Sequence, residues 1–183
     1  MPLPYNPRLT SDGIYGNPYW YSRNPLYLAG YGMPNCTCYA WGRFWEIGDP
    51  DHQYANRPNL STLDAEYWYG NTGDGYARGS TPALGAVLCL ADGPYSGAGH
   101  VAIVEEIFSD GSIRVSESNW GGLYFDTAIY YPPNYLKEPG YVFQGFIYNP
   151  YSGGGPGPFP PGWWKKVWMY KKWWWKRQEE LIQ

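Results

Sequence analysis

At 183 residues the chain is long enough for one domain with a substantial core and demands no second one. Twenty Tyr, 11 Trp, 24 Gly and 18 Pro with only 16% charged residues fit a loop-rich, extracytoplasmic or phage-type protein that grips sugar or peptide polymers with aromatic surface. Three cysteines exclude a dense disulfide framework and leave at least one thiol unpaired, and the net charge of −3 makes nucleic acid a poor partner.

Residues Met1 to Met33, rich in Pro, Tyr, Asn and Gly without a sustained period, predict an ordered, aromatic-studded arm rather than a helix. Next comes Asn35-Cys36-Thr37-Cys38-Tyr39-Ala40-Trp41-Gly42-Arg43. Tyr39, Ala40, Phe44 and Ile47 recur at helical spacing, so an amphipathic helix is expected from Cys36 to about Ile47. A thiol at a helix start meets unpaired N–H groups and the positive end of the dipole, which favour the thiolate, the species that attacks. Cys36 is therefore the candidate nucleophile. Cys38 lies about 200° away around the helix axis, which disfavours a bridge to Cys36, and reads as a packing thiol.

Asp49 to Pro58 reads as a polar turn carrying an exposed His52. Leu60, Leu63 and Tyr67 predict a second helix over Leu60 to Tyr69, capped by Asn59 or Ser61, and Asn71 to Ser80 is a glycine-rich loop. Thr81 to Leu90 begins a strand run in which Cys89 is a small buried hydrophobe. His100 to Ile107 alternates His100, Ala102 and Val104 against Val101 and Ile103, and Ser109-Asp110-Gly111-Ser112 turns the chain into a partner strand, Ile113 to Asn119. Counting by two from Ile113 and Val115 puts Glu117 and Asn119 on the same face; polar residues that continue an apolar row mark a functional site. Gly121 to Tyr135 is aromatic and turn-rich, and Tyr141 to Tyr148 closes the sheet. None of the usual zinc-ligand spacings occurs among the cysteines and histidines.

The Asn35-Cys36-Thr37 motif, the Gly99-His100-Val101-Ala102 strand and Ser116-Glu117-Ser118-Asn119, in that order, resemble the CHAP family of cysteine- and histidine-dependent amidohydrolases and peptidases. The Thr81 to Leu90 segment has the P-x-x-G-x-V form of that family's first sheet strand, and the likeness runs to Gly145-Phe146-Ile147-Tyr148. The resemblance implies an α+β, papain-like fold related to NlpC/P60 domains, with a nucleophile helix packed on an antiparallel sheet. It implies Cys36 as nucleophile, His100 as general base and then acid, Glu117 as the group orienting His100, and Asn119 as a second polar support. The Cys36 backbone N–H is the expected oxyanion donor, with the Asn35 side chain as a weaker one. The implied activity is cleavage of a peptidoglycan amide bond, between muramic acid and alanine or within the peptides, as in phage endolysins and virion-associated lysins. No cofactor is implied, and the single carboxylate Asp12 ahead of the nucleophile lacks the alternating set that would bind calcium. A non-catalytic wall-binding or virion protein on the same scaffold, or an amidase of a non-wall conjugate, is the alternative.

The domain is expected to span 1–149, followed by a Gly/Pro linker over 150–162 and a Trp/Lys-rich amphipathic helix over 163–183. Residues 1–149 carry 7 basic and 14 acidic side chains, a net −7, whereas 150–183 carry 6 and 2, a net +4. Indoles and lysines on one helix suit an anionic membrane interface; docking onto the catalytic domain or onto a partner, such as a virion protein, fits the same pattern. No leader and no run of about 18 apolar residues is present, so the chain is expected in a host cytoplasm or phage particle before it reaches the wall.

Overall fold

The computed structural model describes residues 5–93 and 97–152. The linker and tail readings from 153 onward lie outside the described residues. Two helices, α1 (Pro25–Leu28) and α2 (Cys36–Gly48), precede six strands, β1 (Arg78–Gly79), β2 (Val87–Ala91), β3 (His100–Ile107), β4 (Ile113–Glu117), β5 (Asp126–Tyr130) and β6 (Val142–Ile147). The strands form one antiparallel sheet in the order β1-β6-β2-β3-β4-β5. The architecture is α+β, with α2 laid across β3 and β4.

The alternation along β3 sorts its side chains into two cores. Val101 and Ile103 join Val87, Cys89 and the α2 residues Tyr39, Ala40 and Phe44 on one face. Ala102 and Val104 join Leu88, Ile113, Val115 and Phe146 on the other. The helix-side core is unusually aromatic, with Trp20, Trp41, Trp45 and Trp68 all inaccessible. Gly42 is required there: a Cβ on it would stand 2.5 Å from the Trp20 ring, whose Nε1 donates to the Tyr39 carbonyl of the same helix at 3.0 Å.

A buried polar cluster fixes the rotation of α2. Glu105 of β3, fully enclosed, accepts from Arg43 Nε at 3.0 Å and Nη2 at 2.9 Å, from Ser116 Oγ at 2.6 Å and from Tyr5 OH at 2.7 Å. Ser116 in turn accepts from Tyr39 OH at 2.8 Å. Helix α2, strands β3 and β4 and the N-terminal arm thus share one carboxylate whose desolvation is offset by complete pairing.

Four local expectations change. The N-terminal arm contains one helical turn, α1, because Asn24 Oδ1 accepts the Leu26 N–H at 3.0 Å and Pro25 fills the first helical position. The helix expected over Leu60 to Tyr69 is only a 3₁₀ turn, Ala65–Tyr67. Leu60 and Trp68 are buried while Leu63 and Tyr67 face solvent, and Ser61 Oγ accepts the Leu63 N–H in a local turn. The Arg78 guanidinium takes the Tyr69 and Asn71 carbonyls at 2.8 and 2.7 Å. The Asn71 to Ser80 loop carries a 3₁₀ turn, Thr72–Asp74, and the edge strand β1. Finally, β5 lies inside the stretch read as turn-rich; its weakly apolar sequence suffices because it pairs along its length with β4. At the other end, Asn149 Nδ2 donates to the Phe44 carbonyl at 2.9 Å and Ser152 is buried, so packing onto α2 continues to the last described residue.

Candidate active site

Asn35 sets up the helix start. Extended at φ −164°, it caps α2 with Oδ1, which accepts from the Thr37 N–H at 2.8 Å and Thr37 Oγ1 at 2.7 Å. Its backbone N–H donates to Ser118 Oγ at 3.0 Å, which fastens the cap to the end of β4, and its Nδ2 donates to the Tyr31 carbonyl at 3.2 Å. The Asn35 side chain is thus engaged in capping. The Cys36 backbone N–H stands at the first helical position, where N–H groups have no intrahelical acceptor.

His100 opens β3 directly after Gly99, whose φ is +72°. A Cβ at Gly99 would lie 2.6 Å from the Leu90 carbonyl oxygen and 2.7 Å from the Glu66 N, so only glycine lets the strand begin here. His100 Nε2 meets Glu117 Oε2 at 2.8 Å, and its imidazole lies beside the Cys36 thiol, close enough for each to shift the titration of the other. With Nε2 committed to Glu117, Nδ1 is the nitrogen left for sulfur. The backbone N–H groups of Val101 and Thr37 lie near the Cys36 sulfur and favour its thiolate. Cys36, His100 and Glu117 are therefore neighbours in one site across α2, β3 and β4, with the ring fixed by its bond to Glu117.

Glu117 has further partners that the sequence reading did not include. Tyr130 OH of β5 donates to Oε2 at 2.7 Å, and Lys137 Nζ donates to Oε1. Lys137 Nζ also donates to Asn119 Oδ1 at 2.6 Å, so Asn119 joins the set through Lys137. The only sequence signal for Lys137 is that it is the sole lysine in residues 1–149. Tyr130 has no such signal, because Asp126–Tyr130 lacks a strand-like apolar alternation.

The electrostatics follow from burial and pairing. Burial raises the Cys36 thiol, but the hydrogen bond and charge of His100 and the two N–H groups outweigh it, and its pKa is lowered. Burial opposes charge on His100, yet its bonds to Cys36 and Glu117 raise it to about 9. Burial likewise opposes the Glu117 carboxylate, but His100 and Lys137 hold it down at about 2. Cys38 is pushed up to about 12 and Cys89 is raised further, both chiefly by burial. Of the three free cysteines, Cys38 and Cys89 are fully enclosed and Cys36 alone keeps some residue exposure, 9%.

The surroundings are aromatic. Trp120, 66% exposed, lies 6.3 Å ring to ring from Tyr31, 56% exposed, so the pair flanks the helix start. His52 is an exposed loop residue with Nδ1 3.3 Å from Tyr19 OH, remote from the site in sequence and in contacts. A cavity of about 850 Å³ between the N-terminal arm and the Glu46 to Asn56 turn is lined by none of the site residues. No group of three or more His, Cys, Asp or Glu among the described residues is placed to hold a metal ion.

A thiol at a helix start, an imidazole on the adjoining strand and a carboxylate on the next define a papain-like α+β domain. The sequence model of the CHAP domain matches residues 27–119, and the chain belongs to that family. It is 38% identical over 111 residues to the probable autolysin SsaALP of Staphylococcus aureus, covering 60% of this chain and 37% of that protein. It is 44% identical over 61 residues to a putative hydrolase of Streptococcus mutans, covering 29% of this chain and 28% of that protein. The chain spans about a third of the length of these curated relatives. A crystal structure of an N-acetylmuramoyl-L-alanine amidase from Staphylococcus aureus is similar at 30% identity and TM-score 0.42, over 55% of this chain and 29% of that one.

Proposed function

We propose that the domain is a peptidoglycan hydrolase that cuts an amide bond through the Cys36 thiolate. The observation that carries this reading is the Cys36 thiol at the N-terminus of α2 beside a His100 ring that Glu117 holds at 2.8 Å. Membership of the CHAP family and likeness to a probable autolysin point to the wall as substrate. A non-catalytic wall-binding role would give no reason to bring a thiol, an imidazole and a carboxylate together in a buried site.

In this mechanism the thiolate attacks the amide carbonyl carbon, and the C=O electron pair moves to oxygen, facing the Cys36 backbone N–H. As the tetrahedral species collapses, the C–N bond breaks and the His100 imidazolium gives its proton to the departing amine. The neutral imidazole then takes a proton from water, which attacks the thioester and releases the acid and the thiolate. Glu117 holds the ring and stabilises its charge in both half-reactions. The bond is either that between muramic acid and alanine or one inside the stem or cross-bridge peptide.

The expected setting is that of a phage lysin, which reaches the wall after release from a host cytoplasm or delivery with a particle. Purified walls treated with the protein and with a Cys36→Ser variant decide the activity: mass spectrometry should find new amine and carboxyl ends only with the wild type. Equal fragment release by the variant would overturn the cysteine mechanism, and the mass of the fragments identifies the bond.

A further inference from the structure

Glu117 is almost wholly enclosed, and its two oxygens are used differently. Oε2 receives His100 and Tyr130, whereas Oε1 receives Lys137. Lys137 arrives on the segment between β5 and β6, and the delivery is built into the fold. Two residues earlier, Tyr135 is buried against Phe143 and Phe146 at 5.7 and 5.4 Å, with its OH donating to the Gly111 carbonyl at 3.3 Å. The lysine side chain is itself 20% exposed, and it spans Glu117 and Asn119. This is a shielded contact, unlike an exposed ion pair.

The groups around this carboxylate and the ring it holds have an uneven charge balance. His100 faces Cys36 from α2, Glu117 from β4 and the Tyr141 ring at 6.2 Å, with Asp92 and Glu138 acting on Tyr141. Glu117 faces Tyr130, which also feels Asp126, and Lys137. Among these described groups Lys137 is the one cation besides the His100 ring itself. An imidazolium held between a thiolate and an uncompensated carboxylate binds its proton tightly and makes a poor acid. We propose that Lys137 is a positioning residue that pins Glu117 and balances its charge, so that His100 can release its proton to the leaving amine. This role rests on the cysteine mechanism proposed above.

The chain has only two histidines, so the His100 ring can be titrated by NMR, with His52 as an internal reference, without any catalytic assay. Lys137→Met should raise the His100 midpoint by about half to one pH unit, since a positive charge two hydrogen bonds away is lost. Lys137→Arg should return it toward the wild-type value, and His52 should not move in either variant. On purified walls, Lys137→Met should show its alkaline limb displaced upward by the same amount, with turnover reduced severalfold. A His100 midpoint that is unchanged or lowered in Lys137→Met overturns the proposal. Should Lys137→Met fail to fold, Lys137→Gln serves in the same titration. If wall cleavage is absent in the wild type while the His100 midpoint still moves as stated, the charge-balancing role stands and the hydrolase reading falls.

Discussion

Replacing Glu117 with Gln keeps the side-chain shape and removes its charge, which isolates what the carboxylate does to His100. The ring is raised from its ordinary 6.5 to about 9 against the pull of burial. At about 1.4 kcal/mol per pH unit, that is on the order of 3 kcal/mol in favour of the imidazolium. Cys36 and Glu117 share this effect, so Glu117→Gln should lower the His100 value by about one pH unit. The sign follows directly: a raised pKa keeps the general acid loaded until the pH passes it, so weakening the acceptor moves the alkaline limb of kcat/KM down. The thiolate loses part of its stabilising partner, so the acid limb of Cys36 alkylation moves up. The working pH window narrows from both sides. Loss of a charge-assisted hydrogen bond, about 1.5–3 kcal/mol, should also cut kcat/KM at neutral pH roughly 10- to 100-fold. Dye release from labelled walls between pH 5 and 10, with iodoacetamide alkylation followed by intact mass, measures both limbs. Limbs that stay in place, with activity within about twofold of wild type, would remove Glu117 from the mechanism.

One equivalent of iodoacetamide at pH 7 should label Cys36, because Cys38 and Cys89 are fully buried with raised pKa values; peptide mapping that finds Cys38 labelled first would mean the nucleophile is misassigned. Cys36→Ser should abolish wall cleavage with an unchanged thermal midpoint, whereas Cys38→Ser and Cys89→Ser should keep most activity. Arg43→Met strands Glu105 as an unpaired buried charge and should cost about 3–5 kcal/mol in urea unfolding, against less than about 1 kcal/mol if the cluster were incidental. Truncation after Ser152 removes the basic, tryptophan-rich 163–183 segment and should weaken co-sedimentation with anionic vesicles, partly mimicked by added salt, while wall fragments stay the same. Equal vesicle binding by the two forms would point instead to docking on the domain or to a partner helix.

The helix over Cys36, the hairpin after Ile107 and the side on which Glu117 lies are all written in local sequence. Each depends on a short period, 3.6 or 2, and on a cap or turn residue adjacent in the chain. Asn35 ahead of Cys36 and Asp110-Gly111 before Ile113 act within a few residues of the structure they determine. The family motifs add the pairing of Cys36 with His100 and Glu117, although 81 residues separate the sulfur from the carboxylate. Tertiary structure decided the rest. Leu60 to Tyr69 had helical spacing, but Arg78 claims the Tyr69 and Asn71 carbonyls and Trp68 turns inward, so packing overrides propensity. The strand Asp126–Tyr130 exists because β4 offers an edge to pair with. Glu105 with Arg43, and Lys137 and Tyr130 on Glu117, are partners brought together from distant segments. A buried carboxylate must be paired wherever the chain can supply a donor, and only the folded path of the chain determines which donor arrives.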